Sequence, residues 1–153
     1  MNAAHLHLIV NHLPIVGYVI GVLLVACTFA RRGDRGMFLA SVLVLLFAGG
    51  GSLAAYFTGE PAEEIVEELS DVPEVLIERH EDAAKVATLL AAIFTGLTVA
   101  VSFLALRREG PISLVPMLIL LLAGLVVCAA MGWAGNLGGQ IRHSEIRGTA
   151  STA

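Results

Sequence analysis

Charge is scarce in this chain. Asp, Glu, Lys and Arg make up 14% of its 153 residues, and four long stretches, Leu13–Ala30, Met37–Phe57, Val86–Leu106 and Ile112–Gly135, contain none. Each stretch is near the ~20 apolar residues that a helix needs to cross a bilayer. With 57% apolar residues and a mean hydropathy of +0.84, the composition excludes an ordinary water-exposed domain and predicts an integral membrane protein. Cysteine is equally sparse. Cys27 and Cys128 fall at different depths of spans one and four, whereas a disulfide needs Cα atoms within about 7 Å; buried, reduced thiols are expected. No Cys-x-x-Cys-His run is present, which excludes covalent haem attachment. The chain also lacks a phosphate-binding glycine loop and a nucleophile–base–acid arrangement, so a hydrolase or nucleotide-dependent enzyme is not expected.

What charge there is separates by sign. Arg31, Arg32 and Arg35 crowd the first connection and Arg107 and Arg108 the third, which predicts cytoplasmic loops there. The opposite side receives the N-terminus, the C-terminal tail and the long second connection, with Glu60, Glu63, Glu64, Glu67, Glu68, Asp71, Glu74, Glu78, Glu81, Asp82 and Glu145. That acidic face is expected to be periplasmic, and to steer a cationic partner or substrate. A net charge of -4 gives no support for nucleic-acid binding. The expected fold is all-α: one domain, residues 1–153, forming a four-helix transmembrane bundle in a bacterial inner membrane, with both termini periplasmic. The first span is followed at once by a second, and reads as a retained helix rather than a signal peptide.

The connection over residues 60–85 has its own signals. Thr58-Gly59 before Glu60-Pro61, with acids in the next turn, reads as a helix start, and predicts a short periplasmic helix from Glu63 to Leu69. Ser70-Asp71-Val72-Pro73 reads as a turn. From Glu74 onward nothing interrupts helical continuity except Gly96, so span three projects beyond the bilayer. Leu76, Ile77, His80, Ala84 and Ala87 follow the spacing of one inward face, and aim His80 at the bundle. Glu78 and Glu81 fall on other faces, either solvated or accepting the second ring proton of a histidine from another helix.

This topology brings all five histidines, His5, His7, His12, His80 and His143, to one membrane face. Imidazole is the commonest side-chain metal ligand and a frequent axial ligand of haem. Asn11 is a candidate helix cap with Pro14 in the first turn. On one helix His7 and His12 point about 140° apart, so a single ion would need histidines from different segments; His5 and His7 read equally well as interfacial residues of the terminus. Span four ends in Gly132-Trp133-Ala134-Gly135-Asn136-Leu137-Gly138-Gly139, followed by Gln140-Ile141-Arg142-His143. Gly138 and Gly139 suit either tight helix packing or close approach to a planar group. Gly49-Gly50-Gly51 carries the same two readings. Trp133 suits an interfacial anchor. Arg142 suits a carboxylate such as a haem propionate, or else loop acids or lipid.

The segments HLHLIVNHLPIVG, YFTGEPAEEIVEEL, IERHEDAAKVA and GNLGGQIRHSEI together resemble a widespread family of poorly characterised bacterial four-helix transmembrane domains, a domain of unknown function. The resemblance covers nearly the whole chain. The family's opening histidine pair and closing Gly-Gly-x-x-Arg-His map to His7, His12, Pro14, Gly138, Gly139, Arg142 and His143; Leu8, Leu13 and Ser144 depart from its commoner residues. Members are similar to domains joined to Rieske or cytochrome-type modules, which implies a respiratory redox setting.

The leading expectation is a noncovalent b-type haem protein, an electron-transfer protein or subunit rather than a stand-alone enzyme. Its axial ligands would come from His12, His80, His143 and His7, enough for one or two haems, with quinol, a cytochrome or a Rieske-type protein as partner. The first alternative is a copper, iron or zinc site made by three histidines with Glu60, Glu64 or Glu81. The second is a cofactor-free subunit or assembly factor whose acidic loop docks another protein. The small extramembrane portion suits work within a homo-oligomer or larger complex.

Overall fold

The computed structural model describes residues 2–68 and 72–147. Among them there is no strand. Five helices run in order: α1 (Ala3–Val10), α2 (His12–Ala30), α3 (Arg35–Glu67), α4 (Glu74–Leu106) and α5 (Leu114–Arg142), with a single 3-10 turn over Ser144–Ile146. Four rods, Ala3–Ala30 and the three helices that follow, are long and apolar enough to cross a membrane. The four-helix bundle expected from the charge-free stretches is the fold observed.

The rods form an up-down-up-down ring in which α2 packs on α3, α3 on α4, α4 on α5 and α5 back on α2, while diagonal helices do not touch at the backbone. The centre is filled by Tyr18, Val25, Phe38, Leu45, Phe94 and Leu120, all essentially inaccessible. Tyr18 and Phe94 meet with ring centroids 5.9 Å apart, within the favoured aromatic range. Leu43, Phe47, Leu89, Ile93 and Leu122 point outward and are each at least 60% exposed. Such an apolar exterior suits contact with lipid.

Two expectations at the helix ends are corrected. No separate short helix begins near Glu63, because α3 runs unbroken through Gly59 and Pro61 to Glu67; Leu69 to Asp71 lie outside the described residues. A proline suits a first turn and an interior turn by the same fixed φ, and in membrane helices the lost bond is tolerated where neighbours support the rod. Here α1 lies along the extension of α3, and Ala62 is buried just past the proline. Asn11 is no side-chain cap either. It keeps helical dihedrals and its amide bonds the His7 carbonyl at 2.9 Å, so α1 and α2 are one rod with a break where Pro14 cannot bond back to Val10. The residue whose side chain caps α1 is Asn2, which accepts from the His5 amide at 2.9 Å.

The cysteines are unpaired, as expected, but Cys27 is exposed on the outer face rather than buried, and Cys128 is half-buried. The glycine triplet resolves in favour of packing: Gly49 lies against Thr95 and Gly51 against Leu13 and Pro14, with open space beside Gly50.

The arginine-rich end is tied by backbone bonds. Gly33, at φ 80°, accepts from the Ile112 amide at 2.8 Å. Arg35 donates to the carbonyls of Leu106, Arg108 and Gly110 at 3.0, 2.7 and 3.2 Å, closing the C-terminal end of α4. Asp34 caps α3 by accepting from the Met37 amide at 2.8 Å. Asp34→Ala is expected to lower unfolding stability by about 1 kcal/mol, the usual worth of such a cap, read as a lower midpoint in a detergent thermal melt.

Candidate functional site: the histidine end

The chain topology places the start of α1, the end of α3, the start of α4 and the end of α5 at the end opposite Arg31, Arg32, Arg35, Arg107 and Arg108. All five histidines therefore do share one end of the bundle, but they do not share one direction. His7 and His80 are half-buried, whereas His5, His12 and His143 are exposed.

His80 lies on the inward stripe with buried Ile77, Ala83 and Ala87. Its Nδ1 is 3.0 Å from the Ala134 carbonyl of α5. A carbonyl only accepts, so Nδ1 carries the proton and Nε2 keeps its lone pair. The ring edge rests on α5 at Gly138, where a Cβ would stand 2.9 Å from Cε1 and 3.1 Å from Nδ1. Gly138 thus provides clearance for an imidazole. Gly139 differs, since a Cβ there would meet the end of Ile146 at 3.3 Å.

His7 is held by α3. Its Nδ1 is 3.0 Å from Thr58 Oγ1, and that hydroxyl spends its own proton on the Ala54 or Ala55 carbonyl at 2.9 or 3.1 Å. The hydroxyl oxygen must then accept from His7 Nδ1–H, and Nε2 again is left free. His7 and His80 lie within electrostatic reach of each other, although α1 makes no backbone contact with α4 or α5. Asn11, four residues after His7 and so on the same helix face, has a buried Oδ1 with no partner among the described residues.

The remaining histidines repeat the pattern outside. His12 Nδ1 donates to the Leu8 carbonyl at 2.7 Å. His143 Nδ1 bonds Glu145 Oε1 at 2.9 Å, and Glu145's own amide, then this histidine, hold its carboxyl below the ordinary carboxylate range. Four histidines thus share one arrangement: Nδ1 tied to an acceptor and Nε2 open. No known family profile, curated protein or solved structure matches this chain.

The predicted metal set is not gathered. Among the described residues no group of three or more His, Cys, Asp and Glu side chains is placed to hold an ion. Glu60, Glu64 and Glu78 are exposed, and Glu81 pairs with Lys85 at 2.7 Å. The orienting role considered for Glu78 and Glu81 belongs instead to Thr58 and the Ala134 carbonyl. Arg142 is exposed. Arg147, which the sequence gave no reason to single out, caps α5 by donating to the Gln140 and Ile141 carbonyls at 2.7 and 2.8 Å.

Proposed function

We propose that the protein is a membrane-bound b-type cytochrome domain that relays electrons at the periplasmic face, with His7 and His80 as axial ligands of one haem. The observation that carries this reading is the matched state of the two half-buried imidazoles: each holds Nδ1–H on a fixed acceptor and leaves Nε2 without a partner, from different helices at the same end of the bundle and close enough for a charge on one to be felt at the other. Metal-bound histidines characteristically donate their other ring proton in this way, which fixes ring orientation and raises ligand basicity. Haem also asks less of the protein than a bare ion, since the macrocycle supplies four donors and the chain only one or two. A donor set of two histidines is what such a group needs, whereas a copper, iron or zinc site asks for three or four.

The buried, unpartnered Asn11 oxygen on the His7 face gives the site a polar contact for a water or a cofactor edge. Two imidazole ligands leave no open coordination position, so the chemistry supplied is one-electron exchange. The chain's part is to set ligand orientation, to seat the His80 ring against α5 with the buried Ile77, Ala83 and Ala87 beside it, and to offer an acidic outer face to a cytochrome or Rieske-type partner. Arginine crowding at the opposite end supports a periplasmic assignment in a bacterial inner membrane.

The test is expression with ample haem, purification in mild detergent, and oxidised and reduced spectra with pyridine haemochrome and metal analysis. The reading predicts sharp reduced bands that vanish in His7→Ala and His80→Ala and persist in His12→Ala and His143→Ala. A colourless protein carrying stoichiometric copper, iron or zinc would replace it with a non-haem site, and a protein with neither would leave a cofactor-free subunit.

A further inference from the structure

The arginine end carries charge that the fold does not use. Among the described residues, the guanidiniums that donate hydrogen bonds are those of Arg35, which closes α4, and Arg147, which closes α5 at the other end. Arg31, Arg32, Arg107 and Arg108 are exposed, and the side-chain ion pairs among the described residues, Lys85 with Glu81 and His143 with Glu145, lie at the histidine end. Asp34 and Glu109 are the acids beside these arginines, and Asp34 is occupied in capping α3. The bonds from Arg35 to the Arg108 and Gly110 carbonyls, with the bond between Gly33 and Ile112, draw the first and third connections together. The charges therefore form one surface.

Arg107 shows which way part of that surface faces. Its guanidinium carbon lies 4.0 Å from the centroid of the Phe103 ring, one helical turn back along α4. Phe103 is 55% exposed on the outer flank of the bundle, as are Val99 and Leu104 to a similar degree. An arginine at the end of a membrane helix ordinarily extends its charge away from the hydrocarbon. This one folds back over an outward aromatic ring, a cation–π contact, at the edge of the charge-free stretch that ends at Leu106, where lipid headgroups begin. Its planar fork of N–H donors has no hydrogen-bond partner among the described residues, and such a fork matches the oxygens of a phosphate. A water-soluble acidic protein would meet the tips of the connections and not this flank.

We propose that the arginine end holds an anionic phospholipid, its phosphate on Arg107 against the outer flank of α4, with Arg31, Arg32 and Arg108 supplying the attraction that selects an anionic over a zwitterionic headgroup. Phosphatidylcholine offers the same phosphate but carries its own ammonium, which the surrounding arginines repel. The site lies at the opposite end of the bundle from His7 and His80 and does not rest on the haem reading.

The test is electron paramagnetic resonance of the full chain reconstituted in phosphatidylcholine vesicles, comparing spin-labelled phosphatidylglycerol with spin-labelled phosphatidylcholine for the share immobilised against the protein. Phosphatidylglycerol is expected to be preferred about five-fold, the factor equivalent to the roughly 1 kcal/mol that a basic residue contributes near an anionic headgroup, and the preference should shrink in ~1 M salt. Arg107→Gln should remove most of it and Phe103→Leu part of it, while Arg79→Gln, which deletes the same charge at the histidine end, leaves it unchanged. Arg32 stands at φ 56°, the left-handed position at a helix end where glycine is favoured. Arg32→Gly should therefore raise the melting midpoint in detergent while lowering the lipid preference, a combination that misfolding cannot produce. Equal immobilisation of the two lipids, or a preference reduced as much by Arg79→Gln as by Arg107→Gln, would overturn the proposal. So would a preference abolished by inorganic phosphate at an ionic strength where chloride spares it, which would assign the arginines to free phosphate.

Discussion

On the haem proposal, Gly138→Val is expected to lower haem affinity roughly 10–100-fold, the range typical of losing the partner that orients a metal-bound histidine, while the bundle itself stays folded. A Cβ at this position would stand 2.9 Å from Cε1 of His80 and 3.1 Å from Nδ1, closer than a side chain tolerates. The obstacle is a movable imidazole rather than backbone, so the ring yields and the helix pair survives. As it yields, the 3.0 Å bond to the Ala134 carbonyl breaks, and both the tautomer and the direction of Nε2 are released. Gly139→Ala is the control, since its Cβ would meet only the end of Ile146 at 3.3 Å. Haem titrations read by reduced-minus-oxidised spectra should show the first variant saturating at roughly 10–100-fold higher haem and the second matching the parent.

Gly33→Ala is expected to cost about 3 kcal/mol of stability, from a strained backbone and a collision together. At φ 80° an L residue pays roughly 1–2 kcal/mol. The added Cβ would also collide with the backbone carbonyl of Ile112, which cannot swing aside as a side chain can, and forced overpacking adds roughly 1–3 kcal/mol. Relief by local movement would loosen the 2.8 Å bond between the Ile112 amide and the Gly33 carbonyl, the direct backbone tie between the first and third connections. A lower midpoint in a detergent thermal melt, with helical circular dichroism unchanged at low temperature, would read this loss.

The membrane-spanning parts of the fold were legible because the physical demand on them is simple: about twenty residues without charge between polar ends. Continuity was less so. Pro61 and Asn11 each carry a signal with two meanings, and the packing of α1 along α3 decided both. In the site, the inward direction of His80 followed from Ile77 and Ala87 on its stripe. The inward direction of His7 had a readable signal too, the spacing of His7, Asn11, Pro14 and Tyr18 along one face, with Pro14 and Tyr18 both buried. What could not be read was the second layer. The acceptor for His80 is a backbone carbonyl, which leaves no trace in a sequence, and the acceptor for His7 is Thr58, whose neighbours Gly59 and Pro61 advertised a helix start. Exposed His12 and His143 carry the same residue-type signal as half-buried His7 and His80, so burial was not readable from residue type alone.

The two ends of the bundle are fastened by different means. At the arginine end the connections are joined through main-chain atoms and through Arg35, which reaches three carbonyls. At the other end the polar links from α1 to α3 and from α4 to α5 pass through the rings of His7 and His80. The molecule is therefore built like a clothes-peg, sprung at one tip and gripping at the other. A cofactor held by these imidazoles as proposed would act on the ring links at that tip alone and would leave the main-chain joint at the other untouched.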